Sequence, residues 1–130
     1  VLQFTLPGVP SVYYGDEAGM EGYKDPFNRG FYPWGNEDKE LIEYYKALGK
    51  IRRENGAFFD SRYSTVSATL GCVAFTRGED ILVIANSNNH SIKYYFPQEW
   101  NNCEKIFGDG YVAENYAEIA EHTALIFKKR

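Results

Sequence analysis

The sequence predicts a mainly β chain, an antiparallel β-sandwich preceded by a short β-α unit, and three observations predict it. Residues 63–128 carry short β-branched and aromatic runs separated by turn residues, the spacing of a sandwich. Ahead of them, Leu41, Ile42, Tyr45, Leu48, Ile51 and Arg52 recur at helical intervals. Earlier still, Ser11-Val12-Tyr13-Tyr14 is apolar on consecutive positions between Pro10 and Gly15. Such a run reads as a strand buried on both faces, which favours a parallel sheet.

That strand needs neighbours that the remaining sequence does not offer. From Gly15 to Gly35 the signals are turn chemistry: Asp25-Pro26, Asn28-Arg29-Gly30 and Pro33-Trp34-Gly35. The helix is expected from Asn36 to about Asn55. Asn36 serves as N-cap, acidic residues sit in the first turns, Arg52 and Arg53 in the last, and Gly56 closes it. An amphipathic helix after a buried strand and a long loop is one β-α unit.

Beyond the helix the expected strands are Tyr63 to Ala68, Cys72 to Arg77, Ile81 to Asn86, Ile92 to Phe96, Glu104 to Phe107, Tyr116 to Ala120 and Thr123 to Lys128. Arg77-Gly78-Glu79-Asp80, Ser87-Asn88-Asn89-His90 and Gly108-Asp109-Gly110 read as turns between them. Alternation in Val73 and Phe75, then in Leu82 and Ile84, points to a central hairpin joined through Gly78.

Composition narrows the function. The 130 residues hold Lys+Arg 14 against Asp+Glu 18, a net charge of -4, with no basic cluster except Lys128-Lys129-Arg130. There is no electrostatic footprint for nucleic acid. No apolar run is long enough to span a bilayer, so no membrane partner is expected. The opening Val1-Leu2-Gln3-Phe4 has no initiating Met, and the chain is expected to begin inside a longer protein. Cys72 and Cys103 lie far apart without metal-ligand spacing and read as free thiols of a reducing, cytoplasmic compartment, the alternative being a single long-range disulfide. Aromatic residues make up 17%, a composition that serves strands and sugar sites equally.

One stretch carries more specific information. Gly8-Val9-Pro10-Ser11-Val12-Tyr13-Tyr14-Gly15-Asp16-Glu17 resembles the G-x-P-x-x-Y-Y-G-x-E signature at the eighth barrel strand of α-amylase-family glycoside hydrolases. The following loop, with Asp25-Pro26-Phe27-Asn28-Arg29, is similar to the D-P-x-x-R of the neopullulanase and cyclomaltodextrinase branch, with Asn28 where a small residue or Cys is common. The resemblance implies that residues 1–55 are the last strand, loop and helix of a (β/α)8 barrel. Residues 56–130 are then an antiparallel Greek-key β-sandwich, the family's domain C.

It also implies retaining hydrolysis of α-glucosidic bonds in starch-like glucans by a carboxylate nucleophile and a carboxylic acid. In the family those groups precede this stretch. Neither His90 nor His122 is followed by Asp, so the family's last catalytic motif is missing and the chain by itself is expected to be inactive. No catalytic residue, metal or cofactor is assigned, since no His/Cys/Asp cluster has ligand spacing.

Asp25 and Arg29 are the candidate substrate-binding pair, because a carboxylate and a guanidinium each bridge adjacent sugar hydroxyls. The alternative is a pair that only holds the loop. Tyr14, at the carboxyl end of the expected strand, is a candidate for the substrate floor or for core packing. Asp16 and Glu17, as chain neighbours, point apart and do not flank one bond; a structural role is expected, with Glu17 accepting from loop backbone or an Arg. Phe31, Tyr32 and Trp34 read as packing more than as sugar stacking.

The expected partners are an α-glucan oligosaccharide, the rest of a barrel, and a second copy of the chain captured by the unpaired strand in residues 1–15. The competing reading is a stand-alone carbohydrate-binding sandwich whose platform is Trp100 with Tyr94 or Tyr95.

Overall fold

The computed structural model of the protein describes residues 1–60 and 62–130. A one-turn helix α1 (Leu2–Thr5) opens the chain and an irregular stretch with a 3₁₀ turn at Asp16–Ala18 follows. Helix α2 (Lys39–Glu54) leads into β1 (Tyr63–Thr69), β2 (Cys72–Arg77), β3 (Ile81–Asn86), β4 (Ile92–Tyr95), β5 (Glu104–Phe107), β6 (Gly110–Val112), β7 (Tyr116–Ile119) and β8 (Ala124–Lys128). Among the described residues these strands form a five-stranded sheet in the order β1-β2-β3-β8-β5 and a three-stranded sheet in the order β4-β7-β6. Every pairing is antiparallel. The chain crosses between the sheets from β3 to β4, β4 to β5, β5 to β6 and β7 to β8, so the sandwich is woven rather than stacked.

The β2-β3 hairpin is the centre of the fold, and Gly78 lies in its turn as expected, with Arg77 paired to Ile81. The hairpin is buried on both faces. Ala74, Leu82, Ile84, Leu125 and Phe127 meet Ala117, Ile119, Phe96 and Trp100 of the second layer. Phe75, Ile81, Val83 and Ile126 meet Leu48 of α2 and Phe58. Val73 and Phe75 thus face the helix, whereas Leu82 and Ile84 face the other sheet. A strand covered on both sides reads as a continuous apolar run, which is the pattern of Ile81-Leu82-Val83-Ile84, all four fully buried. At about 1.5–3 kcal/mol for each large side chain taken out of water, this double layer is the main source of stability.

Helix α2 starts later than its sequence signals imply. The N-cap is Asp38, whose Oδ1 accepts from the Leu41 amide at 2.9 Å. Asn36 is instead closed into a turn, its amide bonded to the Pro33 carbonyl. The Asp38 amide donates to Ala18 O at 3.0 Å, so docking on the 3₁₀ turn selects between two good capping residues. At the far end Asn55, not Gly56, closes the helix: its Nδ2 donates to Ile51 O at 2.7 Å and its Oδ1 accepts from Lys128 at 2.8 Å.

Two further expectations are corrected. Residues 11–14 form no strand: the Tyr13 amide turns back to Asp16, and Tyr13 and Tyr14 are exposed. A strand is completed by its neighbours, and the described residues place none beside this segment. Gly110, read as a turn residue, begins β6 opposite Ile119. A Cβ there would stand 2.6 Å from the Glu118 carbonyl oxygen, so glycine serves close approach within the sheet.

The first residues are tied to the rest of the chain by two arginines. Arg77, 1% exposed, donates to the Thr5, Phe58 and Asp60 carbonyls, the last at 2.6 Å. Arg52 of α2 donates to Phe4 O at 2.6 Å and to the Gly8 and Phe58 carbonyls. Charge-assisted bonds of this kind are about twice as strong as neutral ones. Together the two arginines hold residues 4–8 against both α2 and the five-stranded sheet.

Candidate substrate loop

The loop from Tyr13 to Trp34 contains Tyr14, Asp25 and Arg29, and its geometry starts at Gly15. Gly15 has φ +90° and a Cβ at that position would collide with Met20, so only glycine fits. Its amide donates to Glu17 Oε2 at 3.0 Å, and its carbonyl accepts from the Ala18 and Met20 amides. Asp16 Oδ2 accepts from the Tyr13 amide at 3.1 Å. Both neighbouring carboxylates are therefore engaged by main chain and close the turn; they do not face each other across a space for a bond. Burial first, then the negative charges of Glu17 and Glu37, raise the Tyr32 hydroxyl above its ordinary range.

Tyr14 stands at the base of this loop. Its hydroxyl donates to the Gly30 carbonyl at 2.9 Å, tying the start of the loop to its end. The Tyr13 and Tyr14 rings lie 4.8 Å apart. Between them and Asn28 is a small cavity of about 110 Å³, into whose wall the buried Asn28 Oδ1 is set without a partner among the described residues.

Asp25 and Arg29 are brought together. Arg29 Nε is 2.9 Å from Asp25 Oδ1, and both side chains remain mostly exposed, at 68% and 61% for Arg29 and Asp25. They sit on one tight turn, with the Phe27 amide bonded to Lys24 O and the Arg29 amide to Pro26 O. An exposed ion pair contributes about 0–1 kcal/mol, so the pair is weak as a brace while its polar atoms stay open to solvent. In the same loop Phe27, Phe31 and Trp34 are exposed at 74%, 100% and 81%. The Tyr32 and Trp34 rings meet at a tilt of 50°, with centroids 4.5 Å apart.

The alternative sugar platform on Trp100 is not formed. Trp100 is 2% exposed in the core between the sheets, with Lys129 Nζ 4.6 Å from its ring. Tyr94 faces the same core, while Tyr95 points outward. Cys72 and Cys103 are free. His90 and His122 are exposed in turns, and no cluster of His, Cys, Asp or Glu among the described residues is placed to hold a metal. Among the described residues, no helix is long and apolar enough to cross a membrane. What sequence reading missed is Arg77, whose only signal was a lone cation closing an apolar strand.

Comparison with known proteins agrees with this architecture. No protein-family profile matches the chain. It is 46% identical over 77 residues to an amylopullulanase of Thermoanaerobacter thermohydrosulfuricus, a match covering 59% of the chain and 5% of that enzyme. A cyclomaltodextrinase of Thermoanaerobacter pseudethanolicus is 39% identical over 94 residues, covering 68% of the chain and 16% of the enzyme. A maltogenic α-amylase of Bacillus acidopullulyticus is 30% identical over 132 residues, covering 88% and 22%. The chain thus spans a small part of the length of these relatives.

Among solved structures, the type III pullulan hydrolase of Thermococcus kodakarensis superposes with a TM-score of 0.79 at 27% identity, covering 98% of this chain and 22% of that one. The debranching enzyme of Nostoc punctiforme shares the fold, with a TM-score of 0.85 at 24% identity over 98% of this chain and 29% of that one. By sequence and by fold alike, the chain is a relative of the α-amylase-family glycoside hydrolases and corresponds to a C-terminal part of those enzymes.

Proposed function

We propose that the chain is the structural C-terminal portion of a hydrolase acting on α-glucosidic bonds of starch-like oligo- and polysaccharides. In this reading residues 1–55 supply the eighth strand, loop and helix of a (β/α)8 barrel, and residues 56–130 the all-β domain that covers the helix. The observation that carries it is the band of exposed apolar side chains on residues 9–34, from Val9 at 92% to Trp34 at 81%. Residues of this size are exposed together where another surface covers them. The rest of the barrel is that surface, and it also gives residues 11–14 the neighbouring strand they lack.

Asp25, Arg29 and Tyr14 then face the substrate. The Asp25 carboxylate accepts from, and the Arg29 guanidinium donates to, hydroxyls of a glucose unit, while Tyr14 holds the loop through Gly30. The nucleophile and acid come from elsewhere in the longer enzyme, so the chain alone does no hydrolysis. A cytoplasmic setting is supported by the two free thiols. A second copy of the chain, paired through residues 9–14, is the other way to cover the exposed band.

The test compares the chain with the longer enzyme that contains it. The chain alone is expected to release no reducing sugar from starch or cyclodextrin, and hydrolysis by it would refute the reading. In the longer enzyme, Asp25→Ala and Arg29→Ala are each expected to lower kcat/KM by about ten- to a hundredfold, the value of one or two charge-assisted bonds. Unchanged kinetics would reduce the pair to a loop brace. Sedimentation of the chain by itself separates a dimer from a monomer.

A further inference from the structure

The outer face of the three-stranded sheet carries a feature that the substrate loop does not use. Lys93 pairs with Glu118, Tyr95 with Tyr116 and Tyr111 with Glu118 across the β4-β7-β6 ladder. Residues opposite one another share a face. Their neighbours Ile92, Tyr94, Ala117 and Ile119 belong to the core, so these five point away from it. Tyr95 and Tyr111 are 64% and 61% exposed. The ring centroids of Tyr95 and Tyr116 are 5.8 Å apart and those of Tyr111 and Tyr116 are 6.0 Å apart. Three rings therefore run in a row across three strands, with Tyr116 in the middle.

The chemistry of the row selects its ligand. Lys93 Nζ lies 3.4 Å from Glu118 Oε1 and 4.4 Å from the Tyr116 ring centroid, so the charges on this face cancel and offer nothing to a polyanion. With strands of three or four residues and neighbours about 4.8 Å apart, the face measures roughly 13 by 10 Å. That is about 130 Å², far short of the roughly 800 Å² that each partner contributes to an ordinary protein interface. Flat rings bordered by phenol, ammonium and carboxylate groups fit a neutral ligand with C–H faces and many hydroxyls, which is a saccharide.

The tilt of the rings selects the linkage. Successive planes are inclined by 46° and 48°, so neighbouring rings do not share one plane. A glucan joined through axial α-bonds turns at each unit and presents its faces at changing angles, whereas an equatorially β-1,4-linked chain presents them nearly in one plane. At the β4 edge the row runs into a cleft of about 750 Å³ that Tyr95 and Lys93 also line, together with Ser67 and His90. We propose that Tyr111, Tyr116 and Tyr95 form a non-catalytic binding track for an α-linked glucan chain. The inference rests on the function proposed above for the choice of sugar; the site itself stands on the geometry.

Calorimetric titration of the 130-residue chain with maltoheptaose and with cellohexaose tests it. Maltoheptaose is expected to bind with a Kd near ~1 mM or tighter, and cellohexaose at least about tenfold more weakly. The double variant Tyr95→Ala, Tyr111→Ala removes only exposed rings, and a matching thermal melt checks its fold. It is expected to weaken maltoheptaose binding by about tenfold or more. No binding to the unaltered chain, equal binding of both sugars, or equal binding by the double variant would each overturn the track. Binding lost in Asp25→Ala and kept in the double variant would overturn it too, while leaving the substrate loop standing.

Discussion

The guanidinium of Arg77, buried at the end of β2, donates to the main-chain carbonyl of Thr5, 72 residues earlier in the chain. The same group reaches the Phe58 and Asp60 carbonyls and lies 5.9 Å from the centroid of the Phe58 ring. Desolvation and the nearby Arg52 push its pKa down. One side chain thereby joins the segment before the loop, the turn after α2 and the central hairpin, which is how the five-stranded sheet positions the loop from below.

Arg77→Met should show the weight of that junction. It leaves several buried carbonyls without a donor, and the expected loss is about 3 kcal/mol in urea unfolding. Arg77→Lys, a point donor without the planar fork, should recover less than half of it. A change under about 0.5 kcal/mol for the Met variant would mean that the carbonyls find other partners.

The two tryptophans make a paired test of burial. Trp100→Ala opens a hole between the sheets and should cost about 3–5 kcal/mol. Trp34→Ala, at a side chain 81% exposed, should leave stability within about 0.5 kcal/mol. Thermal melts of both variants check the contrast, and equal melting temperatures would contradict the packing described.

Acid should loosen the turn after Phe58. The Asp60 carboxylate accepts from the Arg62 guanidinium at 2.7 Å and from the Arg62 amide at 2.8 Å, and these bonds hold its pKa below the ordinary 3.8. A depressed pKa stabilises the fold above the unfolded value and the benefit disappears as pH falls through the folded one. Asp60→Asn should therefore be less stable than the unaltered chain near about pH 7 and match it once the pH is well below about 4. A difference that persists at low pH would exclude ionisation as its cause.

Cys72 and Cys103 should react slowly. Burial raises both thiols above the usual range, more than the Cys103 main-chain bond and Arg130 lower the second. Little thiolate is present near neutral pH, and the thiolate is what an alkylating agent attacks. Iodoacetamide should label both residues quickly in denaturant and slowly in the folded chain. Rapid labelling without denaturant would place one of them on an open surface.

How much of this could be read beforehand depends on where each element finds its partners. β2, β3 and β5 have the limits expected from sequence, because their apolar runs stop at turn residues. Asp25 and Arg29 are four positions apart on a tight turn, and local geometry alone brings them within 2.9 Å. Tyr14 is different: its bond to Gly30 crosses 16 positions, and nothing near Tyr14 announces it. The tyrosine row is further still from view, since Tyr95, Tyr111 and Tyr116 become neighbours only through the register of three strands.

The sequence by itself determined the types of element: helix, hairpin and short strands follow from periodicity, caps and turn residues, which are properties of a few consecutive side chains. It also determined the relationship to α-glucan hydrolases, through fixed residues in one loop. Only the tertiary structure decided which faces are buried, why Trp100 is core, why Asp38 rather than Asn36 caps the helix, and why residues 11–14 form no strand. Those outcomes depend on surfaces supplied by distant parts of the chain, and burial and pairing are energies between segments that no single segment encodes.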